Sequence, residues 1–338
     1  MTAPPLDDPE LLPFKLDLIG RRVLWLRLSS EQRRTAAFLD ERALPKDAQG
    51  AWLPLGSLLE APRIAAPDAA AIFHIGHCGS TLLSRLLDSW PQVQGLREPQ
   101  PLRTLAEAWT MLATPQSRLD PVEASGLLRA LWLRWSRTLP PATRSVVKAN
   151  SGCNGLIAPL LEQTPALRAI VLDQPLRPYL ATLLKAPGSV LDAAHAAGER
   201  LGDLQARGLA EGAALHALSL PQQCAMGWLA EQVRFAALAA ADERVLRLSF
   251  ESLLAHPQAT LQAIAAHLSL PPGGVDAALA SPAWNRYSKA EDHHYGRDDR
   301  AHDLALAMRR HRDGIDAGVA WVEACVRRHP ALQSLVTA

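Results

Sequence analysis

The chain has 338 residues, 48% of them hydrophobic and 20% charged, enough to bury the core of one large domain or two small ones. Thirty-five Lys and Arg against 34 Asp and Glu leave a formal net charge of +1, which gives no support for a general nucleic-acid binder. Cysteines 78, 153, 224 and 325 have spacings that suit neither a disulfide framework nor a zinc site. With no leader pattern and no apolar run of membrane-spanning length, a cytoplasmic protein without a membrane span is expected.

Residues 1–12 are proline-rich and acidic and read as a loose arm. Residues 22–28 read as a strand, with Leu24, Leu26 and Leu28 on one face and Val23, Trp25 and Arg27 on the other. Ser30 is placed as the N-cap of a polar helix reaching Asp40, and residues 52–59 add a short element. Few apolar residues are left for a separate core. Residues 1–65 are therefore expected to be an extension packed on a main domain of residues 66–338.

Residues 71–75 form a short apolar run, read as a buried strand. Gly76 and Gly79 permit a tight turn with inward N–H groups. From Ser80 the pattern turns helical, with Leu82, Leu83, Leu86, Leu87 and Trp90 in one apolar stripe. Strand, glycine turn and helix start make an anion site, because free N–H groups and the positive dipole end converge there. Ser80 and Thr81 add hydroxyls. Without a ligand the same pattern is only a strand–helix turn. Gly76-His77-Cys78-Gly79-Ser80-Thr81 is not the ATPase loop, since its glycine spacing is shorter and no lysine precedes the hydroxyl pair.

These residues resemble the 5′-phosphosulfate loop of sulfotransferases, in which a basic residue and one spacer precede Gly, two hydroxyl residues and Leu. Gly79, Ser80, Thr81 and Leu82 match, while His77 stands where the family carries Lys or Arg. The resemblance implies that Gly76, Cys78, Gly79, Ser80, Thr81 and Leu82 hold the phosphosulfate of 3′-phosphoadenosine 5′-phosphosulfate. It further implies that His77 or Lys148 steadies the leaving group.

Next, residues 93–97 read as a strand that ends at Glu98. By its place relative to the loop helix, Glu98 resembles the general base of protein-tyrosine sulfotransferases. Its other readings are a helix N-terminal carboxylate or an ion-pair partner of Arg97 or Arg103. Residues 101–138 are helical by pattern. Residues 145–150 read as a strand that ends in polar residues, and Lys148 matches the lysine that the family often carries at such an end.

Residues 166–172 form another strand. In the family this strand ends in an arginine pair and is followed by a serine; the first arginine and the serine hold the 3′-phosphate. Aligned on Arg177, Gln174 falls at the first arginine and Thr182 at the serine. Thr182 can still donate a hydroxyl, but Gln174 carries no charge, so either Arg177 substitutes as the 3′-phosphate ligand or 3′-phosphate binding is weakened. Residues 187–212 are Ala- and Gly-rich and read as a mobile helical insertion, and 222–239 as an amphipathic helix. Residues 244–271 resemble a strand–helix–helix block of the family. In 285–295, Tyr287 is expected to stack on adenine and Lys289 to meet a phosphate, unless the segment is a solvated loop. Adjacent histidines 293 and 294 lack a spacing that aims both at one ion, so no metal is expected.

Strands alternating with helices imply α/β architecture: three α/β/α layers around a parallel sheet, with the N-terminal extension and helical insertions. Ligands then sit beyond the carboxyl ends of the strands, where Glu98, Lys148 and 174–177 converge. The resemblance, over residues 70–310, implies sulfuryl transfer to a hydroxyl or amine acceptor that the sequence does not identify. Two other readings remain: an ATP-dependent phosphotransferase, with Asp173 on Mg²⁺, and a non-catalytic nucleotide-binding member of the fold. Oligomeric state is undetermined.

Overall fold

Leu11, Leu12, Phe14 and Leu16 are all buried in a strand, the first two of them at the end of the stretch 1–12 that was expected to be a loose arm. The computed structural model describes residues 6–44, 47–60, 66–287 and 290–336. Strands β1 (Leu11–Asp17), β2 (Arg22–Arg27) and β3 (Gly50–Pro54) form an antiparallel sheet in that order. Their apolar side chains join the same continuous core as the rest of the chain. Arg134 ties down the preceding segment by donating to the Leu6 carbonyl at 2.6 Å. In β2, Val23, Trp25 and Leu26 are all buried, so the strand is covered on both faces instead of alternating. Helix α1 (Ser30–Thr35) is shorter than expected, and its N-cap is Ser29, which forms a capping box with Gln32. Helix α2 (Gly56–Glu60) follows β3.

The central sheet is parallel and has five strands. These are β4 (Ala70–His74), β5 (Val93–Arg97), β6 (Arg144–Lys148), β7 (Ala169–Asp173) and β8 (Val245–Ser249), in the spatial order β5-β6-β4-β7-β8. All five residues of each of β4, β5 and β7 are buried, as expected for strands covered on both faces. Helix α3 (Ser80–Leu87) leads from β4 to the edge strand β5. Helices α4 (Gln100–Trp109) and α5 (Pro121–Trp135) return the chain to β6, and α6 (Ile157–Gln163) crosses to β7. The winding therefore reverses at β4, and a crevice opens at its carboxyl end.

Between β7 and β8 lie α7 (Leu176–Leu184), α8 (Pro187–His195), α9 (Ala197–Ala206) and α10 (Leu220–Ala241). The stretch read as a mobile insertion is thus two helices, and Ala197, Arg200, Leu201 and Leu204 are buried. Helix α10 is not amphipathic. From Cys224 to Phe235 nearly every side chain is buried, because α9 and the C-terminal helices enclose it. After β8 come α11 (Phe250–Ala255), α12 (Pro257–His267) and α13 (Gly274–Leu279). A two-stranded ribbon, β9 (Arg286–Tyr287) and β10 (Ala290–His294), precedes α14 (Arg297–Arg310) and α15 (Arg312–Arg328). Among the described residues, no helix is long and apolar enough to cross a membrane.

Candidate active site

At the end of β4 the backbone turns through left-handed conformations at Gly76 (φ 90°), His77 (φ 54°) and Gly79 (φ 74°). Gly79 is the N-cap of α3, and no side chain caps the helix. The first-turn N–H groups of such a helix have no intrahelical acceptor. They are oriented to receive an anion. A Cβ at Gly79 would overlap the Phe250 ring, so glycine is required there by packing as well as by φ.

Neighbouring side chains brace the loop. His74 Nδ1 accepts from the Gly76 N–H at 2.9 Å, and His74 Nε2 lies 3.0 Å from the Ala149 carbonyl oxygen. These partners assign the neutral tautomer with the proton on Nε2. Asn154 Nδ2 donates to the His74 carbonyl at 3.0 Å. Cys78 Sγ donates to the Leu172 carbonyl at 3.3 Å, and burial pushes its thiol up to about 12. Gln174 Nε2 donates to the His77 carbonyl at 3.2 Å. Its own carbonyl receives the Trp228 indole N–H at 2.9 Å. Gln174 thus supports the turn.

Across the crevice, β5 and β6 end side by side, with Arg97 paired to Lys148 in register. The next residue, Glu98, has φ 49°. A non-glycine residue held there costs on the order of 1–3 kcal/mol, and such strain gathers at functional sites. Of the described non-glycine residues with left-handed φ, His77 and Glu98 both line the cleft. The Glu98 carboxylate accepts from the Lys148 ammonium, and its other oxygen accepts from Asn150 Nδ2 at 3.1 Å. Lys148 is 1% exposed and Glu98 14%. Arg97 points elsewhere, pairing with Asp88 and donating to the Arg34 and Ala36 carbonyls. Two residues foreseen separately, Glu98 and Lys148, are therefore one ion pair, with the ammonium buried and the carboxylate part-buried.

The crevice widens into a cleft of about 1700 Å³, lined among others by Gly76, His77, Glu98, Asn150, Tyr179 and Arg200. Ser80 and Thr81 are buried at the start of α3, each 4% exposed, and neither lines this cleft. Other expected ligands are placed differently. Arg177 is exposed, does not line this cleft, and donates to Asp316 on α15 at 2.9 Å. Thr182 donates its hydroxyl to the Pro178 carbonyl of its own helix at 2.8 Å. Lys289 and the Tyr287 side chain lie outside the described residues. Asp173 accepts from Arg247 at 2.9 Å, and burial raises its carboxyl above the usual range. Asn150, His74, Tyr179 and Arg200 were not foreseen. Only the polar end of the 145–150 stretch signalled Asn150; the other three carry no local pattern that separates them from core residues.

No family model and no curated protein sequence matches the chain. The solved structures that match it include several sulfotransferases. The sulfotransferase domain of the curacin biosynthetic pathway aligns over 73% of this chain and 91% of its own length, at 14% identity and TM-score 0.42. The corresponding domain of the Synechococcus PCC 7002 olefin synthase aligns over 77% and 97%, at 13% identity and TM-score 0.42. A mouse sulfotransferase complexed with PAP aligns over 81% and 97%, at 12% identity and TM-score 0.34.

Proposed function

We propose that this chain is a sulfotransferase that uses 3′-phosphoadenosine 5′-phosphosulfate to sulfate a hydroxyl or amine. The observation that carries the reading is a juxtaposition. Gly76 and His77, in the turn that leads to the uncapped start of α3, line the same cleft as Glu98, whose carboxylate the buried Lys148 holds. The turn and helix start suit a phosphosulfate, and Glu98 offers a carboxylate able to take an acceptor's proton.

Gly76 and Gly79 leave the loop without side-chain bulk, and the α3 N–H groups lack a side-chain cap. These features suit the 5′-phosphosulfate. Ser80 and Thr81 would add hydroxyl donors, and His77 or Lys148 a cation as charge develops on the leaving phosphate. The donor, when bound, supplies the activated sulfuryl group. Glu98 would accept the acceptor's proton, and Lys148 and Asn150 fix the direction of its carboxylate. His74, Asn154 and Gln174 keep the loop's shape.

Phosphoryl transfer from ATP has less support. The loop has no lysine before its hydroxyls, and Asp173 is occupied by Arg247. Titration calorimetry with 3′-phosphoadenosine 5′-phosphate, ATP and ATP–Mg²⁺ tests the proposal. Binding of the first, with little or none of the others, is expected. No binding of the first at millimolar concentration would remove the sulfotransferase reading. Preference for ATP–Mg²⁺ would install the kinase one.

A further inference from the structure

Beyond the loop, the cleft runs between α7, α9 and α10. Arg200 of α9 is 4% exposed and Tyr179 of α7 1% exposed, and both line the cleft wall. Arg200 donates from Nε to Glu231 at 3.1 Å. That carboxylate is already shared, because Arg234 donates to both of its oxygens, at 3.1 and 3.2 Å. Arg234 is further held by Glu199. The two terminal nitrogens of Arg200 make no hydrogen bond among the described residues, and neither does the Tyr179 hydroxyl. None of these atoms is sealed away from the cleft.

A buried guanidinium held by one of its five N–H groups is an expensive arrangement unless something else accepts from the rest. The fold also makes room for it. Gly227 of α10 faces Arg200, and a Cβ there would come within 3.1 Å of its Cδ and 3.2 Å of its Nη1. Leu183, one turn beyond Tyr179, and Leu238, one turn beyond Arg234, add apolar surface to the same cleft. Planar donors beside a hydroxyl and an apolar wall are suited to a carboxylate on an apolar body.

We infer that Tyr179 and Arg200 form an acceptor subsite for a carboxylate, so that the substrate class is a hydroxy acid or a phenolic acid. This rests on reading the cleft as the acceptor site. The terminal nitrogens of Arg200 bind the carboxylate and Tyr179 donates to it, which leaves the substrate's hydroxyl to face Glu98. Glu231 and Gly227 are positioning residues: one holds Nε and the other leaves space for the guanidinium.

The test is calorimetric and uses the nucleotide-free full chain, so it stands whether or not the nucleotide proposal does. The probes are 4-hydroxyphenylacetate, its primary amide and tyramine. The acid is expected to bind at least about tenfold more tightly than either neutral or cationic analogue, as a charge-assisted pair contributes. Tyr179→Phe, which keeps volume, is expected to weaken the acid several-fold and leave the amide little changed. Arg200→Gln is expected to abolish the preference. Gly227→Ala displaces Arg200 without removing it and is expected to reduce the preference, which keeps the test open if Arg200→Gln fails to fold. Equal binding of acid and amide, no binding of the acid at millimolar concentration, or an undiminished preference in Tyr179→Phe and Gly227→Ala would overturn the inference.

Discussion

Glu98 and Lys148 are one pair whose effects on stability and on the proposed chemistry can be separated. Lys148 is 1% exposed, so removing the Glu98 carboxylate takes the partner from a buried ammonium, at a cost of about 3–5 kcal/mol. Glu98→Gln and Lys148→Met are each expected to lower the melting temperature, and the double variant to recover much of the loss. If Glu98 is the proposed base, transfer should by contrast stay lowered by roughly 10²–10⁴-fold in Glu98→Gln and in the double variant. Recovery of activity in the double variant would show that Glu98 is structural only. At Gly79 two costs coincide: φ of 74° and the Phe250 ring where a Cβ would sit. Gly79→Ala should destabilise by about 1–3 kcal/mol from backbone strain, with overlap added; an unchanged thermal midpoint would show that the turn relaxes freely.

At the scale of elements, the start of α3 and the contact between α7 and α15 divide the expected nucleotide contacts. Replacing Ser80 and Thr81 by Ala should cost about 1.5–3 kcal/mol of nucleotide affinity for each charge-assisted bond lost. A folded double variant with wild-type affinity would move the site elsewhere. Arg177 is held by Asp316 on the solvent side of α7. If it serves the 3′-phosphate, it must leave that partner on binding. Asp316→Ala should then tighten 3′-phosphoadenosine 5′-phosphate and leave adenosine 5′-phosphate unchanged, while Arg177→Ala should weaken only the former. Equal effects on both nucleotides would exclude Arg177 as a 3′-phosphate ligand.

Over the whole molecule, all four cysteines are buried in the folded chain. Burial pushes the Cys78 and Cys153 thiols up to about 12 and Cys224 up to about 11. At pH 8 a thiol with that higher value is ionised to only about one part in ten thousand, and the thiolate is the reactive form. A chromogenic disulfide reagent should therefore find no fast thiol in the native protein and all four after denaturation. A fast native reaction would mean that the core opens under those conditions, exposing the loop through Cys78.

The loop, the parallel strands and the helix that follows the loop were legible in the amino-acid sequence. Each depends on local rules: an apolar run, glycines where φ must be positive, hydroxyls at a helix start. The same locality hid the first strand, since Leu11 to Leu16 follow a proline-rich stretch and their partner strand is paired from outside it. It also hid the burial of α10, which is enclosed by helices before and after it in the chain. The Glu98–Lys148–Asn150 cluster joins residues about fifty positions apart, aligned by β5–β6 register. Arg200 and Tyr179 come together only where α7, α9 and α10 pack. Periodicity and turn chemistry act over a few residues and so can be read along the chain. Which charges become buried, and which then find partners, depends on surfaces that tertiary packing alone brings into contact.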